Sequence, residues 1–583
     1  MTPTDHTAMT AGGRCTSVSI ALAGSGGAGV MTAGNMLLEA AAHAGFYAMM
    51  TRSSGPQIRG GEAAALIRIA TRPIDCMADR FEILAAVDWE NLQRFSAEIP
   101  LDAGSLIVGD PDVGRPPEVF TRTGAAYAPV TLKKIAKGIP DGRPNMLLLG
   151  LVAGLVELPE AALHDAVAKT LGKRVAALAP SLAAMAAGRA AAAAIERRFS
   201  LATPPPRESA RWLLTGNEAA GYGAIKGGVR FVAAYPITPA TELLEWLAPA
   251  LAEVGGTLVQ AEDELASINM AIGGSYGGVP SLTATSGPGL ALMVESLGLA
   301  VAAETPLVVV DVMRVGPSTG IPTKSEQGDL NIALYGMHGD APHLVLAPNS
   351  VADCLLTTQW AVQLAESLQC PAIVLSDQFL GQARAVIDEP AGTGDAVIHR
   401  AVAAPGTTDY QRYALTDNGV SPMAIPGTPG VAYTADGLEH SERGTPSSQV
   451  ADHTAQLDKR RRKLELTDYG AHWADVEGDG DLAVITFGSC TGPLREALAH
   501  TPSLHVRLIS LRLLAPAQPG RLAAALAGVR RALVIEQNHT GQLFRYLRAE
   551  CDFACELTSL HKPGGAQFQP GELQQHLLEW SRA

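Results

Sequence analysis

Short apolar runs closed by glycine or proline, each followed by a helical repeat, recur through most of the chain. The first is Val18-Ser-Ile-Ala-Leu-Ala23, which leads through Gly24-Ser-Gly-Gly-Ala-Gly29 into an apolar helix pattern that continues to Ala42. A second set lies at 231–234, 258–260, 281–285, 307–312 and 372–375, with helical periodicity in the intervals. Strand alternating with helix predicts α/β layers built on parallel sheet. From 391 to 466 the pattern gives way to Gly, Pro, Ser and charge, which reads as a long connection. Order resumes at 482–487, 493–499, 506–510 and 533–536, predicting a further small α/β unit. The alanine-rich tract 181–195 is interrupted by Arg189 and is shorter than a membrane span requires, so it predicts a packed helix. Leu201-Ala-Thr-Pro-Pro-Pro206 is a stiff linker. These breaks divide the chain into 15–200, 208–390, an irregular connecting segment 391–475, and 476–583.

At 583 residues the chain exceeds what one core supports, and several domains are expected. Its net charge of -14 and the lack of a recognisable nucleic-acid motif argue against a nucleic-acid binder. The seven cysteines are scattered without C-x-x-C spacing, so no metal or cluster site is expected on this chain and a reducing cytoplasm suits it. No membrane association is expected.

The most informative motif is Tyr235-Pro236-Ile237-Thr238-Pro239, directly after the apolar run 231–234. Two prolines fix φ and disfavour helix in the residues before them, so a rigid hydroxyl-bearing loop stands at the carboxyl edge of the sheet, where α/β proteins bind ligands. Thr285-Ser286-Gly287-Pro288-Gly289 follows another strand on the same edge and carries no bulk to block close approach. Glu262, Asp263 and Glu264 open a helix, where acids ordinarily just complement the helix dipole. The helix that follows is small and apolar, so at least one of the three can face a buried site. Arg314, at the end of the strand 307–312, either pairs a structural carboxylate such as Asp311 or forks onto a substrate carboxylate.

Other motifs read more plainly. Gly24 to Gly29 matches the dinucleotide-binding pattern, but 44–52 offers no acid for a ribose, which favours a tight turn over NAD binding. Gly478-Asp479-Gly480 lacks a following asparagine before Asn538 and runs into a strand, so it reads as a turn and not as a diphosphate-binding metal motif. Lys459-Arg-Arg-Arg-Lys463 reads as a solvated helix face or a salt-bridged arm in preference to a phosphate site.

Together these residues resemble the α subunit of 2-oxoacid:ferredoxin oxidoreductases, most closely the 2-oxoglutarate type with a γ-like domain fused ahead of the α part. Gly24 to Gly29 with Ser54-Gly-Pro-Gln-Ile-Arg-Gly-Gly61 is similar to the γ domain. The loops at Tyr235, Glu264, Thr285 and Arg314 are similar to the thiamine-diphosphate pyrimidine-binding domain, and 482 to the C-terminus, with Glu536-Gln-Asn-His-Thr-Gly-Gln542, to a transketolase-C-like domain. The resemblance implies a multidomain α/β chain that shares thiamine diphosphate with a β subunit carrying Mg²⁺, the diphosphate site and a 4Fe-4S cluster. It further implies ferredoxin as electron partner, coenzyme A as a substrate, an (αβ)₂ heterotetramer, and reversible oxidative decarboxylation. Pyruvate or branched 2-oxoacids, or a non-catalytic assembly role, stay open as alternatives, as does an NAD-linked dehydrogenase built on Gly24 to Gly29.

By the same resemblance, Glu264 hydrogen-bonds the aminopyrimidine and promotes the tautomer that takes the thiazolium C2 proton. Tyr235, Pro236, Ile237, Thr238, Ser286, Gly287 and Pro288 line the cofactor. Thr238 bonds the substrate's 2-oxo or carboxylate oxygen, Arg314 holds a carboxylate, and Arg59 reaches the same site from the γ-like domain.

Overall fold

A computed structural model describes residues 13–55, 61–172, 174–390 and 397–582. The chain divides into two compact units, one holding the chain to Leu214 with returns at 383–391 and 569–575, the other holding the rest.

The first unit is built on an eight-stranded mixed sheet. Side by side stand Ala126–Pro129, Leu106–Gly109, Ile83–Ala86, Ser17–Gly24, Ala63–Ala70, Tyr47–Ser54, Arg384–Asp388 and Arg211–Thr215. Apolar clusters cover both faces, one around Ile20, Leu37 and Leu148, the other around Leu84, Phe95 and Phe120. The last two strands differ from the sequence-based boundaries, which placed them in 208–390. Their physical role is edge closure: Arg384–Asp388 pairs antiparallel with Tyr47–Ser54, which would otherwise present open backbone. Side chains fasten the added strands, since the Tyr47 hydroxyl donates to Asp388 at 2.8 Å and the Arg211 guanidinium lies 3.7 Å over the Tyr47 ring.

Val175–Ala193 is the one helix among the described residues long and apolar enough to cross a membrane. Its glycine lies in backbone contact with the helix Pro144–Leu155: a Cβ added at Gly188 would come within 2.0 Å of the Leu147 carbonyl, and one at Gly150 within 2.1 Å of that of Met185. Arg189 turns back to donate to the Leu158 carbonyl at 2.9 Å. The packed helix expected at 181–195 is therefore longer, and it is held by close approach of small residues.

The second unit contains a seven-stranded sheet in the order Leu513–Ala515, Leu344–Leu346, Pro371–Asp377, Leu307–Met313, Ser281–Thr285, Phe231–Ala234, Thr257–Gln260. Six strands are parallel and the edge strand Leu513–Ala515 is antiparallel. Leu344–Leu346 is too short to stand out by pattern. A five-stranded sheet, Ala474–Glu477, Val506–Leu511, Leu482–Phe487, Arg531–Glu536 and Glu556–His561, completes the unit. Buried polar side chains tie the two sheets: Arg512 bonds Asp353 and Asp475, and Gln327 donates to the Phe487 carbonyl at 2.7 Å while accepting from the Gln537 amide at 2.8 Å.

Within the segment expected to be irregular, the helix Val450–Glu465 forms, and it carries the basic run. Lys459 and Lys463 are buried and reach the Glu304 carboxylate at 2.6 and 3.1 Å, while Arg412 donates to the Glu304 carbonyl at 2.8 Å. Of the two readings of this run, the salt-bridged one holds for its two lysines. Burial alone pushes the Glu304 carboxyl up, but Lys463, Lys459 and Arg412 override it and hold the group far below the ordinary carboxylate range. Three cations share one acid, so burial together with Lys463 and Arg412 draws Lys459 down to about 8 despite Glu304.

Candidate active site

The parallel sheet reverses direction at Phe231–Ala234. The chain leaves it for Thr257–Gln260 on one side, then returns to Ser281–Thr285 on the other. Such a reversal opens a crevice at the carboxyl ends of the strands, and the loops after these three strands hold the residues singled out by sequence. Tyr235 is exposed, Pro236, Ile237 and Thr238 are half-buried, and Pro239 is buried. Asn217 donates to the Pro239 carbonyl at 3.0 Å and the Thr241 amide to that of Ile237 at 3.0 Å, so hydrogen bonds add to the two prolines in stiffening the loop. The Thr238 hydroxyl has no partner among the described residues.

The three acids separate by position. Asp263 caps the helix Glu264–Tyr276, accepting from the Ala266 amide at 2.7 Å, and both it and Glu262 are exposed. Glu264, the first helical residue, turns inward and is 8% exposed. Its carboxylate has no hydrogen-bond or ion-pair partner among the described residues. A bare Cα makes its position possible: a Cβ at Gly289 would come within 2.0 Å of Thr285 Oγ1 and 2.7 Å of Glu264 Cγ. Ser286, at the start of the helix Gly287–Ala302, keeps a buried Oγ without a partner, and Gly287 and Pro288 are half-buried beside it.

Arg314 is 7% exposed, and its Nη1 donates to the Thr238 carbonyl at 2.6 Å, while Nε is buried without an acceptor. It makes no ion pair with Asp311, the structural pairing that the sequence allowed; the guanidinium anchors the Thr238 loop, with Asp329 and Asp311 as electrostatic neighbours. Burial lowers its pKa and the two acids oppose the shift. Glu326 fixes the loop that carries Arg314, accepting from the Gly316 amide at 3.3 Å and the Gly564 amide at 2.7 Å.

Two family models match the chain. Residues 19–191 match the one described as pyruvate ferredoxin/flavodoxin oxidoreductase, and 222–459 that described as pyruvate flavodoxin/ferredoxin oxidoreductase, thiamine diP-bdg. A 2-oxoacid:ferredoxin oxidoreductase subunit alpha from Sulfolobus sp is 30% identical, over 96% of this chain and 96% of that one. The chain belongs to the 2-oxoacid:ferredoxin oxidoreductase α subunits. Among solved structures, 2-oxoglutarate:ferredoxin oxidoreductase from Magnetococcus marinus, with 2-oxoglutarate, coenzyme A and succinyl-CoA bound, is 37% identical with a TM-score of 0.89, covering 97% of this chain and 99% of that one. A 2-oxoglutarate synthase subunit KorA from Methanothermobacter marburgensis is 35% identical over 62% of this chain and 97% of its own length.

Three observations in the thiamine-binding domain of this α subunit fit the cofactor: the Glu264 carboxylate without a partner among the described residues, the cradle that a Cβ at Gly289 would fill, and the unmet Ser286 Oγ. Among the described residues no group of three or more His, Cys, Asp or Glu could hold a metal ion. Arg59 lies outside the described residues. Gly24 to Gly29 is a tight turn with Gly27 and Gly29 in left-handed conformation, and the Asp88 carboxylate accepts from the Ser25 amide at 3.0 Å. That amide of the loop is therefore already occupied by an acid. Gly478 to Gly480 is also a turn, packed so that a Cβ at Gly480 would meet the His505 carbonyl at 1.9 Å. Sequence reading passed over Asn217, Glu326 and Asp329, which support the site. No apolar period runs through 315–329 to mark Glu326 or Asp329, and the Pro239 carbonyl that Asn217 holds and the Gly564 amide that Glu326 holds belong to other segments.

Proposed function

We propose that this chain is the α subunit of a 2-oxoglutarate:ferredoxin oxidoreductase, converting 2-oxoglutarate and coenzyme A to succinyl-CoA and CO₂ with two electrons passed to ferredoxin, reversibly. A β subunit supplies Mg²⁺, the diphosphate site and the 4Fe-4S cluster, the two assemble as (αβ)₂, and the complex works in the cytoplasm. The observation that carries the reading is the buried, partnerless Glu264 carboxylate set against Gly289 at the sheet reversal that also holds the Thr238 loop.

Thiamine diphosphate, when bound, supplies the electron sink that lets a 2-oxoacid lose CO₂. Glu264 holds a proton at the pyrimidine ring nitrogen, and its low-dielectric setting makes that bond stronger than a surface one. Tyr235, Pro236, Ile237, Ser286, Gly287 and Pro288 form the wall against which the ring lies. The Thr238 hydroxyl donates to the 2-oxo or carboxylate oxygen of the substrate. Arg314 keeps that hydroxyl in place through the Thr238 carbonyl and offers its charge to a substrate carboxylate, with Arg59 as a second cation.

The test is purification with the β subunit, followed by coenzyme A-dependent viologen reduction over several 2-oxoacids. The highest kcat/KM is expected with 2-oxoglutarate; a clear preference for pyruvate or a branched 2-oxoacid overturns the substrate assignment.

A further inference from the structure

Asp311 is the one polar residue of the strand Leu307–Met313 and is fully buried. It stands in register with Thr285 on the neighbouring strand, within the floor of the candidate site. The Asp329 carboxyl, which lies against Gly287 two residues on from Thr285, acts directly on it. No backbone or side-chain donor reaches either oxygen of Asp311 or Oδ2 of Asp329. Ionised carboxylates only accept hydrogen bonds. Two of them facing each other without water would repel, and every unmet oxygen would add a desolvation penalty. One proton held between them removes the repulsion and supplies the missing donor.

The charged and titratable groups that face the pair are few. Arg314 acts on both acids, and Glu326 acts on Asp329. The Asp329 carboxyl also lies against the first turn of the helix Gly287–Ala302: a Cβ at Gly287 would come within 2.6 Å of each of its oxygens. The pair therefore touches the Ser286 to Pro288 wall on one side and faces the arginine of the Thr238 loop on the other.

We propose that Asp311 and Asp329 share a single proton and serve as a positioning pair, whose one net negative charge leaves the Arg314 guanidinium on the Thr238 carbonyl. The proposal rests on the 2-oxoacid reading given above and deepens it. With the proton lost, two negative charges, with that of Glu326 nearby, would outcompete a neutral carbonyl for the guanidinium. Arg314 would then leave Thr238, and substrate binding would weaken. Burial, with repulsion between the two acids, pushes Asp311 well above the ordinary carboxylate range, against Arg314. Burial with Glu326 pushes Asp329 up to about 7, against its bond to Asp311 and the charge of Arg314. Asp329 thus gives up its proton first, and Asp311 keeps the shared one to higher pH.

The test uses the assembled enzyme with its β subunit and has two arms. Infrared difference spectra should show the carbonyl stretch of a protonated carboxylic acid near neutral pH, absent in both Asp311→Asn and Asp329→Asn. In kinetics, the wild-type KM for the 2-oxoacid should climb about tenfold as pH rises past the pair's titration. Asp329→Asn carries a permanent donor and should lack that climb, while the rate of thiazolium C2 proton exchange keeps its wild-type pH dependence. An Asp329→Asn profile with the same alkaline climb as wild type overturns the proposal, as does a missing carboxylic-acid band. If the complex turns over no 2-oxoacid, the functional reading fails separately, and the infrared arm still decides the pair.

Discussion

The case for Glu264 rests on its surroundings: a glutamate at the first position of a helix is ordinary, whereas one that is 8% exposed and unpaired among the described residues is not. Glu264→Gln should lower thiazolium C2 exchange by at least ~100-fold, the scale of a lost proton-transfer group, while the complex still assembles. Deuterium exchange followed by NMR measures this, and an exchange rate at the wild-type value would rule out the role. Arg314 anchors the Thr238 carbonyl, a contact that the sequence did not suggest, and in the proposed function it also faces the substrate carboxylate. Arg314→Ala removes both the bond to the Thr238 carbonyl and a desolvated charge, and should cost about 2–5 kcal/mol in kcat/KM for the 2-oxoacid. Arg314→Lys should recover only part of this, because an ammonium lacks the planar fork. The Tyr235 loop was legible from sequence because prolines and a hydroxyl follow a strand end directly, whereas the residues left open which of Glu262, Asp263 and Glu264 turns inward and only the family resemblance singled out Glu264. Asp329 was not legible, because its neighbours Gly287, Asp311 and Arg314 are brought to it only by the fold.

Elements show where close approach, and not hydrophobicity alone, holds the structure. The helix Val175–Ala193 has few bulky side chains, yet it packs backbone to backbone on Pro144–Leu155 through Gly150 and Gly188. Gly188→Ala forces a Cβ to within 2.0 Å of the Leu147 carbonyl, which cannot yield without moving a helix. A destabilisation of about 1–3 kcal/mol is expected, in the range of overpacked cores, and urea unfolding of the chain measures it. At the candidate site, Gly289 does the same for Glu264 and Thr285. Glycine spacing in sequence marks such contacts as turns or as close approaches without distinguishing the two. The partner backbone decides.

For the whole molecule, the cluster of Glu304 with Lys459, Lys463 and Arg412 locks the segment leading to the C-terminal sheet onto the thiamine-binding domain. Glu304→Gln leaves three buried cations without their counter-charge, and a loss of about 3–5 kcal/mol is expected. The Glu304 pKa is depressed in the folded state, so its contribution is fully present above the ordinary value of 4.5 and is lost as pH falls through the folded one. Urea midpoints measured downward from pH 5 should therefore drop more steeply for wild type than for Glu304→Gln. The basic run was visible in sequence, but its burial was not, since charge alone does not say which helix face meets Glu304. By itself the sequence determined the alternating layers and the rigid Tyr235 loop, because each is encoded within a few consecutive residues. Only the tertiary structure decided that Arg211–Thr215 and Arg384–Asp388 close the first sheet, that Arg314 holds the Thr238 carbonyl, and that Asp311 faces Asp329. These are contacts between segments far apart in the chain, and their energies depend on burial and on partners that no local pattern records.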